Sequence, residues 1–243
     1  MKLVLENVSL EINHERILEN VDLEATVGTP HSIIGPNGSG KTSLLRVIAG
    51  IYKPTQGKVR IEGTPEPRRV IYYLPAEPGV FPGLKVIDYL QIALGLKGLY
   101  GETGITRVMD ILEEFKADKH LYRDLSTLSS GERRLVYLAA AAASDRSIIL
   151  IDEPTSHLDL KWAITAMNLL MNRLRGKVFI FTTHDVNIAS AFSKQTTVIS
   201  NGRVYASGGP GEVYSRELLR RVYGVDLVEF TDSEGRRFYV PST

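Results

Sequence analysis

Residues 31–50 read HSIIGPNGSGKTSLLRVIAG, running from His31 to Gly50. HSII has the composition of a short buried strand, and Gly35-Pro36-Asn37-Gly38-Ser39-Gly40-Lys41-Thr42 satisfies G-x-x-x-x-G-K-[ST]. From Ser43 to Ala49 the residues Leu44, Leu45, Val47 and Ile48 predict an apolar helix that stops at Gly50. Strand, glycine loop and helix in that order make a phosphate-binding unit. The glycines let the backbone wrap a phosphate chain with its amides turned inward. Lys41 supplies a point charge for the β and γ phosphates, Thr42 a hydroxyl for magnesium, and the helix opening at Ser43 aims its positive end at the anion.

On the N-terminal side, Leu3 and Leu5 alternate with polar neighbours, as do Val59 and Ile61, which is the period of half-buried strands. Between about 86 and 128 the pattern becomes helical. Leu90, Leu94 and Leu96, then Val108, Ile111, Leu112 and Phe115, recur at helical spacing, punctuated by Gly95, Gly98, Gly101 and Gly104. This segment is expected to be an inserted helical lobe. Just before it, near the Q-loop, the apolar candidates Val80, Phe81 and Leu84 fit either a docking surface or the lobe's own core. After residue 146 the α/β pattern returns. Ser147–Ile151 and Val178–Phe181 are continuous apolar runs, as in strands buried on both faces. Asn201-Gly202 between Thr197–Ser200 and Arg203–Ala206 predicts a hairpin, and Leu218, Leu219 and Val222 line a helix from Ser215 to Tyr223 that stops at Gly224.

Asp152-Glu153 closes the strand Ile148-Ile149-Leu150-Ile151, at the strand end where open α/β sheets bind ligands. Beside a phosphate loop, Asp152 is suited to hold Mg²⁺ through water and Glu153 to orient or deprotonate an attacking water. His184 ends the run Val178–Thr183 and from the same sheet could reach a γ phosphate, whereas Thr182 and Thr183 have no assigned role beyond the strand edge. Leu128-Ser129-Ser130-Gly131-Glu132 precedes a helix at Arg133–Ala143. Two readings stand for it: a second anion site at a helix N-terminus, or a simple cap by Ser129 or Ser130.

Composition sets the limits. The 243 residues are ample for a core without staples, and the absence of cysteine removes disulfides, thiol catalysis and thiolate metal sites. With 29 basic against 28 acidic residues, there is no basic stripe for nucleic acid. MKLVLENVSL does not read as a secretory leader, and the longest apolar run, Leu135–Ala143, falls short of the ~20 residues of a membrane helix. The expectation is a soluble chain whose membrane-spanning partner, if it has one, is another polypeptide.

Taken together these pieces resemble the ATP-binding-cassette (ABC) ATPase family over nearly the whole chain. GPNGSGKT looks like its Walker A motif, LSSGE its signature, ILIDEP its Walker B, the segment Ser156-His157-Leu158-Asp159 its D-loop, and His184 its switch histidine. The resemblance implies a P-loop fold with a RecA-like α/β core, an antiparallel β subdomain and an inserted helical subdomain. It divides a single unit into residues 1–75 and 146–208 (core and β subdomain), 76–145 (Q-loop, helical subdomain and signature helix) and 209–243 (tail). It implies ATP and Mg²⁺ as cofactors, Gly35 to Ser43 with Ile12 at the nucleotide, Thr42 and Asp152 at the metal, and Lys41, Glu153 and His184 in catalysis. Ser129, Ser130, Gly131, Glu132 and Asp159 would close over ATP held by a second copy, so a homodimer is implied. The other implied partners are an integral membrane permease and an extracytoplasmic substrate-binding protein, with the chain at the cytoplasmic face of the membrane.

Two positions depart from the family. Ile12 stands where an aromatic residue usually stacks on adenine. Tyr73-Leu74-Pro75-Ala76-Glu77-Pro78-Gly79 carries Ala76 where the family has a Q-loop glutamine. Water could fill in, Glu77 could swing across, or coupling could be altered. Hydrolysis is expected to persist, because Glu153 and His184 remain. The tail, with Gly208-Gly209-Pro210-Gly211-Glu212-Val213, Leu218–Val225, Gly235-Arg236-Arg237 and Val240-Pro241, looks like importers of iron-siderophores, haem and cobalamin. A soluble assembly ATPase of the iron–sulfur type and an exporter ATPase are the alternatives.

Overall fold

The computed structural model describes residues 1–64, 66–95, 102–231, 233 and 237–242. Leu96, Gly98, Gly101 and the Gly235-Arg236 pair lie outside them. Strand β1 (Lys2–Ile12) turns back into β2 (Glu15–Thr26), with Asn13 and His14 both left-handed, as a twisted two-residue hairpin turn needs. The third strand to form is β3 (His31–Ile34), followed by α1 (Lys41–Ile48) and β4 (Gln56–Glu62). β1 pairs antiparallel with both β2 and β4, and Leu3 and Leu5 point into the core beneath. Helix α1 begins two residues before the expected Ser43, because Lys41 and Thr42 are already helical.

The larger sheet adds β5 (Ile71–Leu74), β6 (Ile148–Ile151), β7 (Val178–Thr183), β8 (Gln195–Ser200) and β9 (Arg203–Gly208). Its order is β5-β6-β7-β3-β8-β9, parallel throughout except for the β8–β9 hairpin. Both faces are covered. Ile149, Ile151, Phe179 and Phe181 pack with the helical lobe, while Ile148, Leu150, Val178 and Ile180 pack with α1 and the antiparallel sheet. The two-residue period of a strand thus divides one apolar run between two cores.

The lobe consists of α2 (Val86–Leu94), stopped by left-handed Gly95, then α3 (Glu102–Glu114) and α4 (Ser130–Ala143). Gly104 lies inside α3 rather than breaking it. Val108, Ile111, Leu112 and Phe115 are buried, as their spacing predicts. The apolar candidates divide: Leu84 packs against the lobe core, while Val80 (38%) and Phe81 (66%) are exposed. Helices α5 (Leu160–Arg173) and α6 (Val186–Phe192) complete the core layers. The tail forms α7 (Pro210–Val213), α8 (Arg216–Tyr223) and a hairpin of β10 (Leu227–Thr231) with β11 (Arg237–Pro241). It packs Tyr214, Leu219, Val222 and Tyr239 against Ile34 and Val186. Among the described residues, no helix is long and apolar enough to cross a membrane.

Candidate nucleotide site

Because β5, β6, β7 and β3 run parallel, their C-terminal ends share one edge of the sheet. That edge carries Ala76, Asp152-Glu153, His184 and the glycine loop. Two of the loop's glycines are dictated by space. A Cβ on Gly35 would lie 1.9 Å from the Ile199 carbonyl oxygen, and one on Gly40 (φ 104°) would lie 2.9 Å from Leu18 Cδ2. At both positions the backbone therefore fits too close to its neighbours for a side chain. Ser39 Oγ is buried in this loop without a protein partner. Lys41 folds back to donate to the carbonyls of Gly35 (2.8 Å) and Pro36 (3.0 Å). Burial lowers its pKa, and Glu153 and Asp152 oppose that shift.

The two expected metal ligands meet. Thr42 Oγ1 donates to Asp152 Oδ2 at 2.7 Å, with Asp152 only 1% exposed at the end of β6. Among the described residues, no group of three or more His, Cys, Asp or Glu side chains could hold a metal ion. One hydroxyl and one carboxylate beside a phosphate loop suit Mg²⁺, which takes one or two carboxylates and completes its shell with substrate phosphates and water.

Glu153 and His184 also meet: Nδ1 lies 3.0 Å from Oε2. Burial raises the Glu153 pKa, while His184 and Lys41 pull it down. Glu153 is left-handed (φ 49°), a conformation that persists in a non-glycine residue only where its surroundings enforce it. Thr182 is one of those surroundings. Its buried hydroxyl donates to Asp152 Oδ1 and accepts from the Glu153 N–H at 3.0 Å. Thr182, to which the sequence assigns no role beyond the strand edge, thus joins both carboxylate residues through one hydroxyl. Thr183 does have local work, accepting from the Asp185 N–H at 3.0 Å.

Arg134, which no sequence motif singles out, is 2% exposed and donates to carbonyls at the ends of both β5 and β6. Its signal is a cation at the position where the charged start of the helix gives way to the apolar run Leu135–Ala143. The tail contributes too. The enclosed Tyr223 hydroxyl lies near the Gly35 amide and the Glu153 and Asp185 carboxyls, and burial raises its pKa.

At LSSGE the cap is realised. Ser129 Oγ accepts from the Glu132 N–H (3.2 Å), and Glu132 Oε2 accepts from the Ser129 N–H (2.9 Å), a reciprocal capping box that starts α4 three residues before the expected Arg133. The Ser129 N–H and hydroxyl, each donating to Glu132 Oε2 at 2.9 Å, lower the Glu132 pKa, and His120 Nε2 lies 3.3 Å from its other oxygen. Asp159 caps α5 by accepting from the Trp162 N–H at 2.8 Å. Gly131 lies under the His157 carbonyl, 3.0 Å from where a Cβ would stand. Ser130 and His157 line a cavity of about 270 Å³ with Ala76, Glu77 and Tyr137, and no glycine-loop residue lines it. Among the described residues, no hydrogen bond joins 129–132 or Asp159 to the loop at 35–43. Ile12 ends β1 half-buried, opposite Glu15.

The family model described as ABC transporter matches residues 18–156. The achromobactin transport ATP-binding protein of Dickeya dadantii is 29% identical, covering 87% of this chain and 84% of that protein. The hemin import ATP-binding protein of Rhodopseudomonas palustris is 31% identical, covering 97% of this chain, and so most of its tail, and 93% of that protein. The dimeric structure of a bacterial ABC transporter cassette matches at a TM-score of 0.76 and 28% identity, covering 86% of this chain and 98% of that one.

Proposed function

The chain belongs to the ABC transporter family as an ATP-binding ATPase, and from that premise we propose that it powers a membrane importer of a metal chelate, of the siderophore or haem type. One observation carries the catalytic part of this reading. Thr42, Asp152, Thr182, Glu153 and His184 form a continuous line of polar contacts at the ends of adjacent parallel strands, beside the glycine loop.

In this reading the backbone N–H groups between Gly35 and Ser43, those of all but Pro36, hold the phosphate chain with Lys41, and Ile12 gives the adenine an apolar contact. Thr42 and Asp152 would hold Mg²⁺, which would supply charge neutralisation for the phosphates. With a proton on Nδ1, His184 donates to Glu153 Oε2 and orients the carboxylate that receives the attacking water's proton. As water oxygen bonds to the γ phosphorus, its proton passes to Glu153, the bridging P–O bond breaks, and ADP and phosphate result. The barrier is lowered by positioning and charge rather than by a covalent intermediate.

The group at Ser129, Ser130, Gly131, Glu132 and Asp159 belongs over the nucleotide of a second copy. The cavity lined by Ser130 holds no glycine-loop residue, and this together with the likeness to a dimeric cassette supports that assignment. The substrate class rests on the tail and on the achromobactin and hemin relatives. A permease, an extracytoplasmic binding protein and a position at the cytoplasmic face of the membrane complete the proposal.

The test is gentle affinity purification from native membranes with identification of what accompanies the chain. A stoichiometric multi-span permease is expected. Recovery with soluble partners alone would replace the transport reading with an assembly ATPase.

A further inference from the structure

We propose that Arg134 is a positioning residue that locks Glu153 to the backbone at Ala76 and to the signature helix, so that the three move as one body. The proposal rests on Glu153 being the base. Arg134 sits in the second turn of α4, with all its hydrogen bonds going to backbone carbonyls. Nε donates to Pro154 (3.2 Å), Nη1 to Pro75 (3.1 Å) and Ala76 (3.3 Å), and Nη2 to Asp152 (2.7 Å) and Glu153 (2.6 Å). One planar group thus bridges the loops that leave β5 and β6.

Burial lowers the Arg134 pKa to about 10, so it stays cationic at neutral pH, helped by the charges of Asp152 and Glu153. A buried cation is costly to keep, and an apolar residue of similar volume often serves stability as well. What the guanidinium adds is geometry: a rigid fork of donors that no other side chain supplies. At Glu153 that geometry matters, because the residue is held left-handed from both sides. Its N–H is fixed by Thr182 and its C=O by Arg134.

The same fork answers the problem at residue 76. Alanine has no side chain with which to relay a movement of the 75–76 segment, but its carbonyl is bonded to Nη1. Displacing that carbonyl tilts the plane whose other arm holds the Glu153 carbonyl.

The experiment uses the full chain with R134K, R134M, E153Q and the R134K/E153Q double variant. Affinity for a fluorescent ATP analogue, steady-state kcat and KM, and thermal unfolding are measured on each. Nucleotide affinity is expected to be unchanged, because Arg134 makes no contact with the glycine loop. A base displaced by about 1 Å loses on the order of 100-fold in rate, and R134M should show a kcat loss of that size. R134K keeps the charge but not the fork and should recover part of it. Adding R134K to E153Q should cost nothing further, since the base through which Arg134 acts is already gone.

Parental kcat in a folded R134K and R134M would overturn the proposal, as would additive losses in the double variant or a raised KM at constant kcat. If R134M fails to fold, R134K and the double variant decide alone. Parental turnover in E153Q would instead refute Glu153 as the base, whereas loss in E153Q without loss in the Arg134 variants refutes only the positioning role.

Discussion

Replacing Thr182 with valine removes one oxygen and keeps the shape of a fully buried side chain. That oxygen makes two contacts, a donation to Asp152 Oδ1 and an acceptance from the Glu153 N–H at 3.0 Å. A hydrogen bond to a charged group contributes about 1.5–3 kcal/mol, and a neutral one about 1 kcal/mol. The variant should therefore lose roughly 3 kcal/mol of stability by chemical denaturation. If about 2 kcal/mol of that is lost from the transition state, turnover falls about 30-fold. The assay is phosphate release at saturating ATP, with nucleotide affinity measured separately. Affinity should change less than turnover, because among the described residues no hydrogen bond joins Thr182 directly to the glycine loop. Thr182→Ser keeps the hydroxyl and should restore most of the rate. A folded Thr182→Val variant with parental turnover, or a serine variant as slow as the valine one, would refute the reasoning.

Ser129→Ala breaks the capping box that opens α4 and should cost about 1 kcal/mol in denaturation experiments; unchanged stability would mean that Glu132 holds the turn by itself. The turnover rate should rise with pH as the Glu153 carboxyl ionises. Burial favours its neutral form, so activity is lost as pH falls through a value above the ordinary 4.5. The same shift means that ionising Glu153 subtracts stability as pH rises. A rate profile whose acidic limb lies at 4.5 or below contradicts this. Ala76→Gln places a longer side chain beside the cavity of about 270 Å³ and should leave the unfolding midpoint unchanged; a fall of several degrees would show that the segment has no room.

Much of the site was legible because each motif residue stands at a strand end or helix start that local pattern marks. Apolar runs followed by Asp152-Glu153 or His184, and HSII followed by glycines, announce where the chain leaves the sheet. Thr182 and Arg134 were not legible for a common reason. Their partners are 18 to 59 residues away in other elements. A threonine inside an apolar strand and an arginine on an alanine-rich helix reveal burial but not what they touch. Strand β5 has four half-buried or buried residues and no alternation long enough to stand out. At LSSGE the residues were compatible with both a cap and an anion site, and only Glu132 turning back on Ser129 displays the cap. The tail's hairpin went unread because its strands are short and mostly exposed.

The central claim is that ATP is hydrolysed between two copies of this chain with Glu153 as base. Its most direct measurement is the molecular mass in solution of the Glu153→Gln variant with Mg-ATP and with Mg-ADP, alongside its turnover. The account predicts a stable dimer in ATP, a monomer in ADP, and hydrolysis far below the parent. A variant that stays monomeric in ATP and turns over at the parental rate would contradict it.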